Sequence, residues 1–496
     1  MLFNSWSFLV FLVVVFAGYY FGPRRVSATA TGQVLWLTVA SFLFYGWKDP
    51  NLVLLLMAAC ALNAFVSRRL LRSDLDPRTR FRTLLAALTV NLGFLAFFKY
   101  ASLLARLVMP ASWWESAKPW LENENGGSII PLPVGISFFT FQGISLVVDS
   151  YRADGEGFPG LTPPRNAGET RWFHQKVWFF KAFFPQLVAG PIVKAGEFFH
   201  QIGRKHFANI DWDDAVKKLV AGFFLKMVVA DNLQQVTVAL KEGAFLEMPK
   251  INLIALLYAF SFQIYADFCG YSMIAMGLAR LFGYQLPLNF NHPYISRNFT
   301  EFWRRWHISL SSWLREYLYF PLGGNRKGAA RTYLNLFVVM FLGGLWHGAA
   351  WKYAVWGSAH GVFLALERLF ARSATRQSPK GWSPAGLLGM FITFNLVSGL
   401  WLLFQLKDFG HVIAYVRCLA HNPGGMLPQP LFVIALFSSP VILQHLWAAL
   451  PDGGDRLRGI TGPRLAAWTE AALYAVLMLL IVVNSGPPGE FIYFQF

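Results

Sequence analysis

The chain has 496 residues, of which 55% are hydrophobic, 17% aromatic and only 14% charged, and its formal net charge is +17. A globular chain carries about 25% charged residues, so this composition excludes an ordinary soluble enzyme and favours a helical protein that crosses a membrane many times. The basic residues lie in loops between apolar runs, which favours membrane topology and anionic lipid or phosphate ligands over nucleic acid. The three scattered cysteines give neither a disulfide framework nor a metal site.

Hydropathy predicts about twelve membrane spans along the chain. They are residues 3–21, 33–47, 51–66, 83–108, 129–148, 217–239, 251–278, 332–349, 353–370, 385–405, 429–449 and 465–484. The first span is interpreted as retained rather than as a signal peptide, because Arg24 and Arg25 follow the apolar run instead of preceding it. A further apolar stretch with two prolines, 177–193, is predicted to re-enter the membrane without crossing it.

Basic loops set the predicted orientation of these spans. The most basic short loop, 68–82, is assigned to the cytoplasm, and the acidic loop 109–128 is assigned to the outside. The later basic loops on the inside are 194–218, 280–331, 368–380 and 456–464. If 177–193 does not cross, the alternation holds along the whole chain and places both termini outside.

Charge is concentrated in one segment, TEFWRRWHISLSSWLREYLYFPLGG, at residues 300–324. Its apolar residues recur every three or four positions and are Trp303, Trp306, Leu310, Trp313, Leu314 and Tyr317. A polar stripe with similar spacing consists of Arg304, His307, Ser311 and Arg315. The spacing predicts a single amphipathic helix with Thr300 as its N-cap, ended by Pro321 and two glycines. Such a helix either lies at the membrane interface, with its arginines on lipid phosphates, or lines a cavity.

A second histidine, His347, lies in GGLWHGAAW at the end of an apolar run. An ionisable residue in such a run indicates a functional site, and a core histidine bonded to a backbone carbonyl is the competing interpretation. Imidazole titrates near neutral pH, so His347 suits a general base toward a hydroxyl or thiol, with His307 orienting the substrate or stabilising an oxyanion. The arginines beside His307 would hold donor phosphates. His360 in WGSAHG is interpreted as structural.

The sequence lacks the motifs of several other enzyme classes. It contains no G-x-S-x-G elbow, no H-E-x-x-H zinc motif, no Walker A loop and no dinucleotide fingerprint. No acidic co-ligand accompanies His307, His347 or His360, so neither a metal site nor a bound cofactor is expected. Direct transfer of a group, activated by histidine, is the simplest chemistry that remains.

These residues resemble the membrane-bound O-acyltransferase superfamily, and within it the bacterial branch that acetylates polysaccharides such as alginate and cellulose. The resemblance extends over about residues 1–370. It rests on MLFNSWSFLVFL, LPVGISFFTFQGISLVVDSYR, FFPQLVAGPIVK, YADFCGYS, NFNHPYISRNFTEFWRRWHISLSSWLREYLYFPLGGNR and GGLWHGAAWKYAVWGSAHG. The family's histidine falls on His347, and the second histidine of this branch falls on His307. Gln186 and Asp267 match motifs on the channel side, for which hydrogen bonding between spans is the alternative.

The resemblance implies an all-α polytopic membrane protein, with a ring of about eleven to twelve tilted helices and with re-entrant and horizontal helices around a central channel. It implies a single membrane domain over 1–496, with a catalytic core at about 130–370. The implied location is the bacterial inner membrane, with both termini in the periplasm. The candidate donor- or substrate-binding residues are Arg304, Arg305, Ser311, Arg315, Gln186, Asp267 and Trp346.

The implied activity is O-acetylation of an exported exopolysaccharide, cellulose or alginate, with His347 as general base and His307 assisting. The acetyl group would come from a cytoplasmic donor, acetyl-CoA or an acyl carrier. The expected partners, besides membrane lipids, are a periplasmic lipase- or esterase-like acetyltransferase and a polysaccharide synthase complex.

Three departures from the family pattern bear on this expectation. Met273 replaces an acidic residue, Glu316 replaces an aspartate, and the insert 152–176 favours a polymer other than alginate, such as cellulose. Two alternatives stay open. One is a transporter or flippase for glycan precursors, which interrupted helices also suit, and the other is D-alanyl transfer to teichoic acid.

Overall fold

The computed structural model describes residues 1–121, 132–153, 160–188, 190–371, 383–450, 453–487, 489 and 491–492. The described chain is predominantly α-helical and packs as two compact units. The first unit contains Met1–Ala215 and Ala275–Pro287, and the second contains Val216–Ile274 and Leu288–Phe496.

The first unit is built mainly from ten helices. They are α1 (Trp6–Phe21), α2 (Arg24–Ser27), α3 (Ala30–Tyr45), α4 (Asn51–Leu70), α5 (Pro77–Val108), α6 (Ala111–Leu121), α7 (Ile136–Arg152), α8 (Ala167–Ala182), α9 (Phe184–Leu187) and α10 (Ala195–Phe198). Its core includes a polar pair between α4 and α5, in which the side-chain amides of Asn63 and Asn91 bond to each other at 3.1 and 3.2 Å. Gly143 on α7 packs against this pair, since a Cβ there would lie 2.9 Å from both asparagines.

The second unit holds most of the helices that follow. They are α11 (Trp212–Phe223, from residue 216), α12 (Asp231–Glu242), α13 (Lys250–Leu281, to residue 274), α14 (Phe299–Arg305), α15 (Ile308–Leu314), α16 (Gly328–His347), α17 (Trp351–Ala371), α18 (Pro384–Gln405), α19 (Phe409–His421), α20 (Pro428–Ala449) and α21 (Gly453–Val483). The π-helical segment Phe224–Ala230 joins α11 to α12, the π-helical segment Arg315–Tyr319 continues α15, and Gly462 interrupts α21 with a left-handed φ of 77°.

Local sequence signals explain where many helices begin. Oxygen-bearing side chains cap the first turns of α1, α3, α5, α8, α18 and α19 by accepting a backbone N–H. Proline follows the cap of α5 and α18, where its missing N–H removes no helical hydrogen bond. These devices fix the helix starts, and the apolar runs fix the helix lengths.

Seven of the described helices are long and apolar enough to cross a membrane. They are α4, α5, α13, α16, α18, α20 and the Gly462–Val483 part of α21, and α1 and α3 are shorter apolar helices. The prediction of an all-α polytopic membrane protein is confirmed, and most described residues of each of the twelve predicted spans fall on these or other helices. The span predicted at 217–239 is interrupted by the π-helical segment Phe224–Ala230. The number of crossings and the ring around a channel stay predictions.

The prediction of a single amphipathic helix over 300–324 is wrong. Helix α14 ends at Arg305, His307 adopts left-handed backbone angles, and α15 starts at Ile308. The predicted cap is also wrong, because the side chain of Asn298, and not that of Thr300, accepts the N–H of Glu301 at 2.7 Å. The three-and-four spacing continues through the break, so periodicity alone could not reveal it.

Two other segments differ in detail from the sequence-based expectation. The stretch predicted to re-enter, 177–193, is interrupted where α8 ends and α9 begins, around Phe183. The loop 109–128 contains α6 in its first part, and its residues 122–128 lie outside the described chain.

Candidate active site

His307 sits at the break between α14 and α15, in the second unit. Its φ and ψ are 44° and 54°, a left-handed conformation that costs a non-glycine residue about 1–2 kcal/mol. The side chain is fully buried, with no exposed surface. Such strain persists only where the surroundings enforce it, and it is concentrated at functional sites. The break turns His307 away from the polar stripe that the spacing predicted, while Arg304 and Arg315 stay exposed.

A buried polar network holds the His307 ring. Its Nδ1 lies 3.0 Å from Oδ1 of Asn289, a residue with no exposed surface. The same oxygen accepts the Ser309 hydroxyl at 2.9 Å, and the Asn289 amide nitrogen donates to the Ser272 hydroxyl at 3.1 Å. The backbone supports this arrangement, because the N–H of Ile308 donates to the Asn289 carbonyl at 2.9 Å.

These bonds determine the tautomer of His307. The backbone N–H of Ser309 can only donate, and it points at Oδ1 of Asn289 at 3.4 Å, so this atom is the amide oxygen. The Nδ1 of His307 therefore donates its hydrogen to Asn289, and the neutral ring carries its lone pair on Nε2. Burial lowers the pKa of His307 to about 3, which keeps the ring neutral near pH 7.

His347 ends α16 and is 6% exposed. Aromatic rings surround its imidazole: the centroids of Trp346, Phe404 and Trp356 lie 5.0, 5.2 and 5.3 Å from it. The helix stops because Gly348 is extended, and a Cβ at Gly348 would lie 2.2 Å from the Tyr353 ring. The apolar run thus delivers an imidazole to a helix end that is enclosed by aromatic side chains.

Glycines bring α16 and α17 into close contact below His347. A Cβ at Gly344 would lie 2.2 Å from the Tyr353 carbonyl oxygen, and one at Gly357 would lie 2.2 Å from the Met340 carbonyl oxygen. Small residues at such a crossing let two helix backbones approach in a membrane. The glycines beside His347 therefore allow α17 to approach α16 closely.

Trp346 connects the two histidines. Its ring centroid lies 6.1 Å from that of His307 and 5.0 Å from that of His347. Both imidazoles are therefore neighbours of one buried indole, although they are 40 residues apart in sequence. The structure brings together the pair of histidines that the sequence singled out.

A cavity of about 880 Å³ lies next to the His307 break. Its polar lining consists of Thr300, Arg304, Ser311, Ser312, Arg315, Glu367 and Arg368. The remaining lining is mostly apolar and includes Trp303, Ile308 and Met340. Helix α15 links the cavity to the histidine, because the N–H of Ser311 donates to the His307 carbonyl at 3.0 Å. Three predicted donor-binding residues, Arg304, Ser311 and Arg315, thus line one cavity.

Arg305 is held differently from Arg304. Its Nε and one terminal nitrogen bond to the Glu301 carboxylate at 3.1 and 3.0 Å, and its other terminal nitrogen bonds to the Asn291 carbonyl at 3.1 Å. Arg297 also bonds to Glu301, at 2.9 Å. Arg305 is not among the residues that line the cavity. Its predicted donor-binding role stays a prediction without support from its position.

The two candidates from channel-side motifs have internal partners. Gln186 belongs to the first unit, where its side-chain amide donates to the Phe180 carbonyl at 2.6 Å. Asp267 belongs to the second unit, where one carboxylate oxygen lies 2.7 Å from Nζ of Lys226. Its other oxygen accepts the N–H of Ile492 at 2.7 Å. These contacts fit hydrogen bonding within the protein, and a role of either residue toward substrate stays a prediction.

Sequence reasoning did not single out Asn289, Ser309 or Arg368. Asn289 lies in the quoted NFNHPY motif, where an asparagine between apolar residues was the available signal. His360 packs between aromatic rings, 4.6 Å from Trp356 and 5.1 Å from Trp303, and among the described residues neither ring nitrogen has a hydrogen-bond partner. This packing is consistent with a structural His360.

Comparison with known proteins agrees with the resemblance. The membrane-bound O-acyltransferase family matches residues 177–404, a range that contains both histidines and the cavity. The probable alginate O-acetylase AlgI of Pseudomonas aeruginosa is 36% identical over 82% of this chain and 72% of its own length. The protein of the same name from Pseudomonas putida is 35% identical over 100% of both chains. The peptidoglycan O-acetyltransferase of Helicobacter pylori is 34% identical over 84% of this chain and 79% of its own. The chain therefore belongs to the membrane-bound O-acyltransferase family and is a multi-pass membrane acyltransferase.

Proposed function

We propose that the protein is an O-acetyltransferase that moves acetyl groups from a cytoplasmic donor toward an exported polysaccharide. The observation that carries the proposal is the pair of buried histidines around Trp346, beside a cavity lined by arginines. Relatives named for O-acetylation of alginate and of peptidoglycan support acetyl as the acyl group and a glycan as the acceptor.

Acetyl-CoA is the proposed donor, and an acyl carrier is the alternative. Arg304, Arg315 and Arg368 bring three guanidinium groups to one cavity, and guanidinium recognises phosphate through paired hydrogen bonds. The Glu367 carboxylate accepts the Thr300 backbone N–H at 3.1 Å, so it is engaged at the start of α14. The apolar remainder of the lining suits the uncharged arm of a thioester donor.

In the proposed step, His347 acts as general base. Its imidazole takes the proton of the acceptor hydroxyl as the oxygen attacks the thioester carbonyl. A C–O bond forms, the C–S bond breaks, and the thiolate leaves with the acyl group transferred; the proton returns from His347 to the thiolate. His307, neutral and fixed by Asn289, orients the substrate at this centre.

Topology and partners complete the proposal. The positive-inside distribution predicts that the loop 280–331, with its arginines, lies on the cytoplasmic side of the bacterial inner membrane and that both termini lie in the periplasm. A periplasmic lipase- or esterase-like acetyltransferase and a polysaccharide synthase complex would receive the acetyl group. Cellulose and alginate are the first polymers to test, and peptidoglycan is the third because of the Helicobacter pylori relative.

The test combines purified protein in lipid vesicles with acetyl-labelled acetyl-CoA. Wild-type protein should release free thiol and transfer label to an acceptor, whereas His347→Ala should reduce both to background. Solute movement across the vesicle membrane without thioester cleavage would instead support a transporter.

A matched histidine serves as control. His421 lies at the exposed end of α19, and His421→Ala should leave thiol release at the wild-type level. In cells, each variant should be expressed equally before polysaccharide acetylation is compared. Wild-type acetylation by His347→Ala would refute the assigned base.

A further inference from the structure

The C-terminal part of the chain is bonded to the middle of the second unit. We call the described residues within 484–492 the C-terminal strap. The Asn484 carbonyl oxygen accepts a hydrogen bond from the side-chain amide of Asn232 at 3.0 Å, and the Gly489 carbonyl oxygen accepts one from Nζ of Lys226 at 3.3 Å. The backbone N–H of Gly486 donates a hydrogen bond to the Met227 carbonyl oxygen at 2.9 Å. Four spaced contacts, counting the bond from Ile492 to Asp267, therefore seat the strap along one surface.

A buried ion cluster anchors the strap. Nζ of Lys226 lies 2.7 Å from a carboxylate oxygen of Asp231 and 2.7 Å from one of Asp267. The three residues are only 6%, 1% and 3% exposed. Removing Lys226 would leave two buried carboxylates without their cation, so Lys226 is the member on which the cluster depends. The cluster binds the strap through Gly489 and Ile492.

Backbone geometry explains how Lys226 reaches Asp267. Lys226 lies in the π-helical segment Phe224–Ala230, where one residue more per turn alters the direction of the side chains. The segment also approaches α13 closely, because Cβ atoms at Gly222 and Gly270 would each lie 2.8 Å from the other glycine's carbonyl oxygen. The charge cluster is thus built into the packing of two helical segments.

The strap also touches the surroundings of His307. The Phe491 ring stacks on Tyr271 at 4.6 Å and meets Phe268 at 5.9 Å. Phe268, which follows Asp267, presents its ring edge-to-face to the His307 imidazole at 4.7 Å. A contact path therefore runs from the ion cluster through Phe491 and Phe268 to the candidate site.

We propose that Lys226, Asp231 and Asp267 are positioning residues that clamp the C-terminal strap, so that Phe491 holds Phe268 against His307. They act on the reaction through the strap. The kinetic part of this inference rests on the proposed function, because it assumes that His307 works in acetyl transfer. The structural part, the clamp itself, does not.

The clamp is tested by chemical accessibility. Ile492→Cys keeps the backbone N–H that bonds to Asp267, and Ile492 is 3% exposed, so maleimide should label this cysteine slowly in a Cys418→Ser background. Adding Lys226→Met should raise the labelling rate by roughly tenfold or more, because local opening becomes more populated. Asp214→Asn, which breaks the 2.7 Å ion pair with Arg280 in the first unit, is the matched control and should leave labelling unchanged.

Kinetics then test the positioning role on the full chain. Lys226→Met should lower kcat for acetyl transfer about tenfold with KM for acetyl-CoA unchanged, and Lys226→Arg should restore part of kcat. Size-exclusion profiles confirm that each variant is folded. Unchanged labelling in Lys226→Met would overturn the clamp, and faster labelling with unchanged kcat would overturn positioning. If wild-type protein transfers no acetyl group, the proposed function fails and takes the kinetic part with it, and labelling alone then decides the clamp.

Discussion

The regions around His307 and His347 place an imidazole by opposite means. His307 occupies a strained break between two seven-residue helices and is held by a hydrogen bond to Asn289 at 3.0 Å. His347 ends a regular helix of 20 residues and is enclosed by aromatic rings at 5.0 to 5.3 Å. One ring is held by a hydrogen bond to a buried amide, and aromatic packing surrounds the other.

This difference separates the roles that we expect of the two residues. A ring whose Nδ1–H is committed to a buried amide keeps one tautomer, which suits a constant orienting partner. A general base must instead gain and lose a proton in each turnover, and aromatic packing surrounds the imidazole of His347. The contrast predicts that polar substitutions near His307 will change kcat and its pH dependence, whereas changes of side-chain volume near His347 will change the stability of the protein.

The largest expected effect comes from removing the imidazoles. His347→Gln and His307→Gln should each lower kcat for acetyl transfer by about 10²–10⁴-fold, the range typical of a positioned acid–base group. If the two rings act as one unit around Trp346, the double variant should be no slower than the slower single variant. Labelled acetyl transfer by the three variants measures this, and effects that multiply in the double variant would show independent roles.

The next effect concerns the polar support of His307. Asn289→Leu removes the buried hydrogen bonds to His307, Ser309 and Ser272, and a buried group that loses its partner costs about 1–3 kcal/mol, so kcat should fall roughly 5- to 150-fold. Asn289→Asp keeps an acceptor at Nδ1 but places a carboxylate beside the ring, which favours the imidazolium and raises the pKa of His307 from about 3.

The sign of the pH effect follows from that shift. The wild-type His307 ring stays neutral down to about pH 3, so it adds no acid limb to the rate profile at neutral pH. In Asn289→Asp the ring becomes protonated at higher pH, and activity should be lost at a higher pH on acidification. An unchanged acid limb in this variant would mean that the protonation state of His307 does not affect the rate.

Substitutions in the packing around His347 should first of all change the stability of the protein. Gly344→Ala puts a Cβ 2.2 Å from the Tyr353 carbonyl oxygen, and overpacking of this kind costs about 1–3 kcal/mol. Thermal unfolding in detergent should show a lowered Tm. Gly399→Ala in α18 is the control, since nothing lies within 4 Å of its Cβ, and it should keep or slightly raise the Tm. Equal Tm values for the two variants would contradict the role of Gly344.

The two regions were also unequally predictable from the sequence. The span predicted at 332–349 coincides with α16 to within a few residues, because a long apolar run specifies a membrane helix by composition alone. The break at His307 was missed, since the apolar stripe keeps its spacing across it. In the sequence pattern His307 belongs to the same polar stripe as Arg304 and Ser311. Its left-handed backbone conformation, which the pattern does not show, is what sets it apart from them.

Partners distant in sequence were the other part that pattern could not supply. Asn289 bonds to His307 from 18 residues upstream, and Lys226 pairs with Asp267 across 41 residues. Each contact depends on how helices pack, which single-chain periodicity does not encode. Family motifs singled out the two histidines that the structure places next to Trp346, but they did not indicate what holds them.

The smallest expected effect sharpens the comparison on the His307 side, where adjacent arginines face different surroundings. Arg304 lines the cavity, while Arg305 is bonded to Glu301 and Asn291. Arg304→Gln should raise KM for acetyl-CoA about 1.5- to 5-fold with kcat unchanged, because one exposed charge contact is worth roughly 0.2–1 kcal/mol. Arg305→Gln should leave KM unchanged and lower the Tm slightly, since it weakens a partly buried ion pair. A larger increase in KM for Arg305→Gln than for Arg304→Gln would indicate that the donor binds outside the cavity, on the face of α14 where Arg305 pairs with Glu301.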